Sequence, residues 1–375
     1  MRGRSPSRVL EVDLGERRYP VRIGAGTLAL AGPEIARRTG ASLAVVLSVP
    51  GVARRHAGAL ERSLRGAGVR ARRIVVPDGD RTKRLGVVAR LYDRLLALGA
   101  DRGTALVALG GGMVGDLTGF TAATFLRGVP FVQVPTTVLA MVDASVGGKV
   151  GVNLPQGKNL VGAFHQPRLV WIDVATLRTL PRRERSAGFA EVVKVAALGD
   201  AGLFARLERD AEALMELDPR RLVPVLGRAI AIKAEIVAKD EREAGPRMLL
   251  NLGHTLAHAV ETLSGYRGAL HGEAVAMGMV FSARRSEELG LAPEGTAARL
   301  ETLLRRFGLP TELPRFSREA YLAALRVDKK QRDGRIRYVV LRRIGRAETV
   351  PLTAARILPP GRAGERRRVP RGSFR

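Results

Sequence analysis

Residues 104–115 read TALVALGGGMVG. Ala105 to Leu109 form an apolar run that stops at Gly110, Gly111 and Gly112, with Gly115 three residues on. Such a run ending at glycines reads as a strand entering a tight turn, with a helix to follow. Gly110, Gly112 and Gly115 satisfy the spacing G-x-G-x-x-G. Glycines let the backbone approach a pyrophosphate, and the following helix N-terminus offers free N–H groups and a positive dipole. The standard dinucleotide layout has an acidic residue about 20 positions on. None stands there, and Asp116 follows the loop directly instead. A plain tight turn is the alternative for this spacing.

Outward from this stretch, short β-branched runs alternate with amphipathic ones. Strands are expected at Ser42–Leu47, Ala71–Val76, Thr104–Leu109 and Phe131–Val134, with helices at Arg54–Gly66 and Leu85–Leu98. Strand–helix alternation implies a parallel, doubly wound sheet of Rossmann-like α/β class. Beyond Leu177 the apolar spacing has period 3.6. It predicts helices at Ala187–Ala197, Ala201–Met215, Leu222–Ala238, His254–Ser264, Glu273–Leu289 and Thr296–Phe307, with one short β-like stretch at Ile336–Leu341. The boundary is expected near Trp171–Thr176. The chain thus divides into an α/β domain over 1–172, an all-α domain over 173–358 and a basic tail over 359–375, read as a disordered extension. The cleft between the two domains is the default ligand site.

Composition narrows the function. The 375 residues suit roughly two domains at ~150 residues each, and an apolar share of 46% is ample for their cores. With no cysteine, disulfides and thiolate metal sites are excluded, and any metal must use His and carboxylate. Met1–Val9 is polar and basic, so no secretory signal is expected and the expected setting is cytoplasmic. No window reaches the ~20 apolar residues of a membrane span. The net charge of +27 raises nucleic-acid binding, but the arginines are dispersed and aromatics are only 4%, which leaves no base-stacking platform.

Among the 63 basic residues only eight are lysines: Lys83, Lys149, Lys158, Lys194, Lys233, Lys239, Lys329 and Lys330. A GC-rich genome would account for the arginines, and would scatter the leftover lysines over surface helices. Most instead fall in motif-like strings, where a compact ammonium serves as a point donor to phosphate or as a group of tunable pKa. Lys233 shares an apolar helix face with Leu226, Ile230 and Val237. A buried Lys is costly unless it meets an anion; the alternative is snorkelling to the helix edge. Glu191, His254 and His271 form a candidate metal set, because Glu/His/His leaves open coordination positions, as a catalytic Zn²⁺ requires. His254 and His258 are spaced i, i+4 as in zinc proteases, but Thr255 stands where those have Glu. Three satisfied core polar groups are the alternative.

These residues lie in a dense series of strings: PDGDRTK (77–83), LVALGGGMVGDLTGF (106–120), FVQVPTTVLAMVDASVGGK (131–149), GKNLVGAFHQP (157–167), LPRRERSAGFAEVVK (180–194), KAEIVAKDERE (233–243), NLGHTLAHAVE (251–261), HGEAVAMGM (271–279) and DKK (328–330). In this order, from about residue 10 to 355, the chain closely resembles the 3-dehydroquinate synthase family of sugar phosphate cyclases. The resemblance implies conversion of 3-deoxy-D-arabino-heptulosonate 7-phosphate to 3-dehydroquinate and phosphate in the shikimate pathway of aromatic amino acid biosynthesis. The implied steps are NAD-recycled oxidation, β-elimination of phosphate, reduction, ring opening and aldol closure. It also implies a Zn²⁺- or Co²⁺-like divalent ion and a homodimer.

Residue roles follow from the same resemblance. Glu191, His254 and His271 match metal ligands. Asp143, Lys149, Lys194, Lys233, Asn251 and His258 match catalytic positions. These also contact substrate, together with Arg247, His271 and Lys330. Lys149, Asn159 and His258 would surround the phosphate, and Arg127 would reach the phosphate site of a second copy. Lys233 and Arg247 would clamp the carboxylate end. Asp80, Lys83, Gly111, Gly112, Gly115, Asp116, Thr136 and Thr137 match dinucleotide-binding positions, with Asp143, Lys149 and Lys158 beside them. The chain departs from the family at Asp80, where Glu is usual, at Val195, where Tyr is common, and at Ser48, where an Asp or Asn often meets the adenosine ribose.

Three rival readings remain: a sister sugar phosphate cyclase, a metal-dependent alcohol or glycerol dehydrogenase, and a nucleic-acid binder. A dehydrogenase has no use for Lys149, Lys194 and Lys233 around a phosphate and a carboxylate. The basic tail has no role in the family pattern, so deleting residues 359–375 is expected to leave turnover intact. A large loss of turnover would show that the tail orders the site or the dimer.

Overall fold

The computed structural model describes residues 7–326, 331–332 and 335–359. Its strands are β1 (Ser7–Val12), β2 (Tyr19–Gly24), β3 (Leu43–Ser48), β4 (Arg70–Val75), β5 (Ala105–Gly110), β6 (Phe131–Pro135), β7 (Lys149–Leu154), β8 (Gly157–Phe164) and β9 (Leu169–Asp173). Seven of them form one sheet in the order β1-β2-β9-β6-β5-β3-β4. All neighbours run parallel except the antiparallel edge pair β1–β2. Every residue of β3 and β5 is buried, because helices cover both faces of the sheet; this is why these strands read as unbroken apolar runs.

The covering helices are α1 (Ala31–Thr39), α2 (Pro50–Val52), which continues through a π-turn into α3 (Gly58–Gly66), α4 (Leu85–Ala97) and α5 (Gly112–Thr124). The pleat sends alternate residues to opposite faces. Val46, Val107 and Leu109 pack with Ile35, Leu60 and Leu64 on one side. Leu47, Leu106 and Ala108 pack with Leu91, Leu95 and Leu117 on the other. The β7–β8 hairpin is a separate two-stranded sheet that the sequence reading did not assign, nor did it assign β1, β2 and β9.

The second unit contains α6 (Arg182–Gly199), α7 (Ala201–Met215), α8 (Pro219–Lys239), α9 (His254–Leu263), α10 (His271–Glu288), α11 (Thr296–Arg306), α12 (Arg318–Arg326) and the short α13 (Ala354–Ile357). It is helical as expected, with one small sheet added to the expected all-α unit. A three-stranded sheet of β10 (Gln331–Arg332), β11 (Arg335–Arg343) and β12 (Arg346–Leu352) docks on α10. Tyr338 Oη and Ser282 Oγ meet at 2.7 Å, and Ser286 Oγ accepts from Leu341 N at 3.0 Å. The sequence signal was one β-like stretch, and its hairpin partner, RAETVPL, mixes Arg, Glu and Pro with few apolar residues. Of the expected tail, only Pro359 is among the described residues.

The two units share a core. Val12, Tyr19, Val21 and Ile23 of the sheet edge join one apolar cluster with Leu226 and Ile230 of α8. Within the helical unit, α6 is central: every residue from Ser186 to Leu198 is buried, so it is enclosed on all sides. Helix α10 approaches it closely because two positions lack a Cβ. A Cβ on Gly272 would lie 1.8 Å from Ala187 O, and one on Gly278 would lie 2.1 Å from Gly253 O. Gly253 itself has φ 81°, the left-handed region natural to glycine, and it starts α9 at His254. Gly272→Ala is expected to cost about 1–3 kcal/mol by overpacking against backbone that cannot yield. Gly86→Ala, with nothing within 4 Å, is expected to be neutral or mildly stabilising. Urea denaturation of both variants checks the contrast.

Candidate active site

Glu191 sits in the middle of α6, and His254 and His271 are the first residues of α9 and α10. The close packing of these helices brings one ligand atom from each within 4.8 Å of the others. His254 Nε2 and His271 Nε2 lie 3.8 and 3.9 Å from Glu191 Oε1. The other ring nitrogens are engaged elsewhere: His254 Nδ1 meets Leu252 O at 3.3 Å and His271 Nδ1 meets Glu261 Oε1 at 3.3 Å. That orients both Nε2 atoms toward the carboxylate, as outer partners do at metal centres. Glu191 is fully buried, and its Oε2 pairs with Lys194. Its Oε1 faces the two imidazoles and accepts no hydrogen bond. A buried acceptor left this way is costly, and the Glu/His/His donor set fits a divalent ion of the Zn²⁺ class.

Cations surround this cluster. Lys194 is 1% exposed and Lys233 is 5% exposed. Burial pulls the Lys194 ammonium down, but the carboxylates of Glu191 and Asp143 more than offset it and its pKa lies above the ordinary value. Asp143 occupies a π-turn at Ala140–Ala144, a deformation frequent at functional sites. Lys233 donates to its backbone carbonyl at 2.6 Å and to its carboxylate. Burial works to raise the Asp143 pKa, and the Lys233 and Lys194 ammoniums overcome it, so Asp143 stays ionised well below the usual range. Burial lowers Lys233 despite Asp143. Arg247 is 3% exposed; it donates to Gly147 O at 3.2 Å and to Glu241 O. Lys149 pairs with Glu243, which also accepts from Asn251 Nδ2 at 2.8 Å. His258 stands edge-on to His254 with ring centroids 5.7 Å apart.

A second group lines the sheet side. Helix α5 begins at Gly112 with Gly111 as its cap residue and no side-chain cap, so its first N–H groups remain available to an anion. A Cβ on Gly111 would lie 3.2 Å from Thr137 Cγ2, and one on Gly115 would lie 2.8 Å from Gln133 Oε1. Thr136 N donates to Gly110 O at 2.9 Å, which ties residues 136–137 to the glycine turn. Lys83, buried, pairs with Asp116 and donates to Asn159 Oδ1. Burial raises the Asp116 pKa even with Lys83 beside it. Lys158 reaches Asp80 at 2.9 Å and Glu261 at 3.7 Å, and lies 4.7 Å over the Tyr266 ring.

Two expected residues stand outside these contacts. Arg127 is on an exposed corner with φ 68° and contacts none of the site residues within one chain. Lys330 lies outside the described residues. Ser48 is fully buried and donates its hydroxyl to Leu109 O at 2.7 Å, so its one donor is engaged with the neighbouring strand. Sequence reasoning missed Glu243 and Glu261. Both lie inside motif strings, but an acidic residue beside a basic site reads as ordinary helix polarity until the fold brings it to Lys149 or His271.

Models of the N-terminal and C-terminal parts of 3-dehydroquinate synthase match residues 73–187 and 188–331. The chain belongs to the 3-dehydroquinate synthase family. It is 48% identical over 350 residues to the 3-dehydroquinate synthase of Pelobacter propionicus, covering 93% of this chain and 98% of the relative. Among solved structures, 2-epi-5-epi-valiolone synthase from Streptomyces hygroscopicus with bound NAD⁺ and Zn²⁺ has a TM-score of 0.83 at 31% identity, covering 90% of this chain and 94% of the other. A 2-deoxy-scyllo-inosose synthase complexed with carbaglucose-6-phosphate, NAD⁺ and Co²⁺ has a TM-score of 0.85 at 27% identity, covering 93% and 98%.

The Glu261 contact generates a test. Glu261→Ala is expected to lower affinity for Zn²⁺ about 10–100-fold, read by competition with a chromophoric chelator. Unchanged affinity would mean that Glu261 does not orient His271.

Proposed function

We propose that this chain is a 3-dehydroquinate synthase, converting 3-deoxy-D-arabino-heptulosonate 7-phosphate to 3-dehydroquinate and phosphate in the shikimate pathway. The observation that carries the reading is the convergence of Lys194, Lys233 and Arg247, all buried, on the Glu191–His254–His271 cluster. That many desolvated cations suit a substrate with anionic groups at both ends, and family membership supports the same reaction.

Glu191, His254 and His271 would hold a divalent ion of the Zn²⁺ or Co²⁺ class, which lowers the pKa of a substrate hydroxyl. Gly111, Gly112, Gly115, Thr136 and Thr137, with Asp80, Lys83, Asp116 and Lys158 at the edge, would hold NAD⁺, which takes a hydride and returns it. Lys233 and Arg247 fix the substrate carboxylate. Lys149, Asn159, Asn251 and His258 receive the phosphate, so the leaving group departs into a basic pocket. Asp143, ionised between Lys233 and Lys194, accepts a hydrogen bond from a substrate hydroxyl and keeps that hydroxyl oriented. Burial of the cluster keeps water from the oxidised intermediate stage. The reading includes a homodimer, with Arg127 and its exposed corner turned toward the second copy, and Lys330 as a substrate-contacting residue. It also includes a cytoplasmic setting; no helix among the described residues is long and apolar enough to cross a membrane.

The test is phosphate release from the seven-carbon substrate by protein loaded with NAD⁺ and Zn²⁺, repeated after chelation. Metal-dependent release without net NADH is expected. Accumulating NADH would indicate a dehydrogenase, and no release from the loaded, folded protein would overturn the substrate assignment in favour of another sugar phosphate. Lys233→Met is expected to keep folding and NAD⁺ binding and to weaken substrate binding by at least about tenfold, the scale of one charge-assisted hydrogen bond. Unchanged KM and kcat would remove Lys233 from the site.

A further inference from the structure

A second cationic cluster lies at the turn between α7 and α8. Arg206, Arg220, Arg221 and Asp218 line a surface depression of about 340 Å³. Behind it, the buried Asp210 is shared by Arg206 at 3.5 Å, Arg209 at 3.2 Å and Arg221 at 3.4 Å. Arg220 lies 3.6 Å from Asp218, whose carboxylate already accepts from the Arg220 backbone N–H at 3.0 Å.

These pairs are long, as are those of Arg22 with Glu34 at 3.3 Å and Arg65 with Glu61 at 3.9 Å, and they differ from the tightest pairs of the surface. Elsewhere Arg183, Arg284, Arg299 and Arg306 close on glutamates at 2.6–2.7 Å, the usual length of a charge-assisted pair. Around the depression no guanidinium comes nearer than 3.2 Å to a carboxylate. Four guanidiniums face two carboxylates. Arg220 and Arg221 also stand in the first turn of the 21-residue α8, which carries no acidic residue there, and the helix dipole repels cations at that end. Both terms disfavour the arrangement unless a further anion joins it.

We propose that this depression is a binding site for a phosphate dianion, as inorganic phosphate or a phosphate monoester. The net excess of two positive charges matches a dianion, and tetrahedral oxygens match the forked donors of arginine. The site is separate from the active site. Lys233 lies on the same helix 13 residues beyond Arg220, about 20 Å along its axis.

The experiment is calorimetric titration of inorganic phosphate, and in parallel glycerol 3-phosphate, into the NAD⁺- and Zn²⁺-loaded protein. Two classes of phosphate site are expected. Lys149→Gln removes the active-site class, and Arg220→Gln weakens the other about tenfold or more while leaving turnover unchanged. Preference for glycerol 3-phosphate at the Arg220-dependent site marks a monoester ligand, and equal or weaker binding marks free phosphate. Independently, in the unmodified protein, phosphate should protect Arg220 and Arg221 from butanedione, mapped by mass spectrometry. A single class of site, or a second class indifferent to Arg220→Gln, together with no protection, overturns the proposal.

Discussion

Three cations, Lys194, Lys233 and Arg247, are taken out of water where the sheet meets the helical unit. A charge moved from water into protein costs several kcal/mol unless partners replace its hydration. The partners here are few and specific: Glu191 for Lys194, the carboxylate and carbonyl of Asp143 for Lys233, and the carbonyls of Gly147 and Glu241 for Arg247. Each partner comes from a different element, and each requires that element at a fixed place. The π-turn at 140–144, the glycine turn at 147–148 and the middle of α6 are therefore parts of one electrostatic arrangement. The internal carboxylates hold the cations charged, and they leave donor capacity for a substrate that carries its own anions.

The packing that permits this is set by absent side chains. Gly272 and Gly278 let α10 lie against α6 and against the turn at Gly253, which places the first residues of α9 and α10 beside Glu191. The shared core below, from Val12 and Ile23 of the sheet edge to Leu226 and Ile230 of α8, fixes the helical unit against the sheet. Packed interiors transmit displacement rather than absorbing it. The metal cluster therefore depends on backbone contacts made by glycines beside its ligands, Gly272 next to His271 and Gly253 next to His254.

The charge of +27 divides into separate physical roles. Several lysines place a buried ammonium against a carboxylate, as at Lys83, Lys194 and Lys233. Many arginines are on the surface in close pairs with glutamate, such as Arg299 with Glu208 and Arg306 with Glu212, worth little each in water. The arginines between α7 and α8 fit neither pattern.

The sequence alone determined the parallel sheet and most helices, because strands covered on both faces read as short unbroken apolar runs and helices with one buried face keep period 3.6. It also determined the family, through motif strings whose order is preserved, and it singled out the candidate metal set that the fold brings together and the lysines that the fold buries. Several features were decided only by the tertiary structure. The second unit is helical as read, but the β11–β12 hairpin was decided by the fold, since β12, Arg346–Leu352, is held by its register with β11 and by α6. The partner of the Ser48 hydroxyl, Leu109 O of the neighbouring strand, was likewise visible only in the fold. Glu243 and Glu261 became site residues only through contacts across 94 and 10 positions of sequence. Local pattern reports which face of an element is buried; which charge stands opposite is a property of the assembled fold.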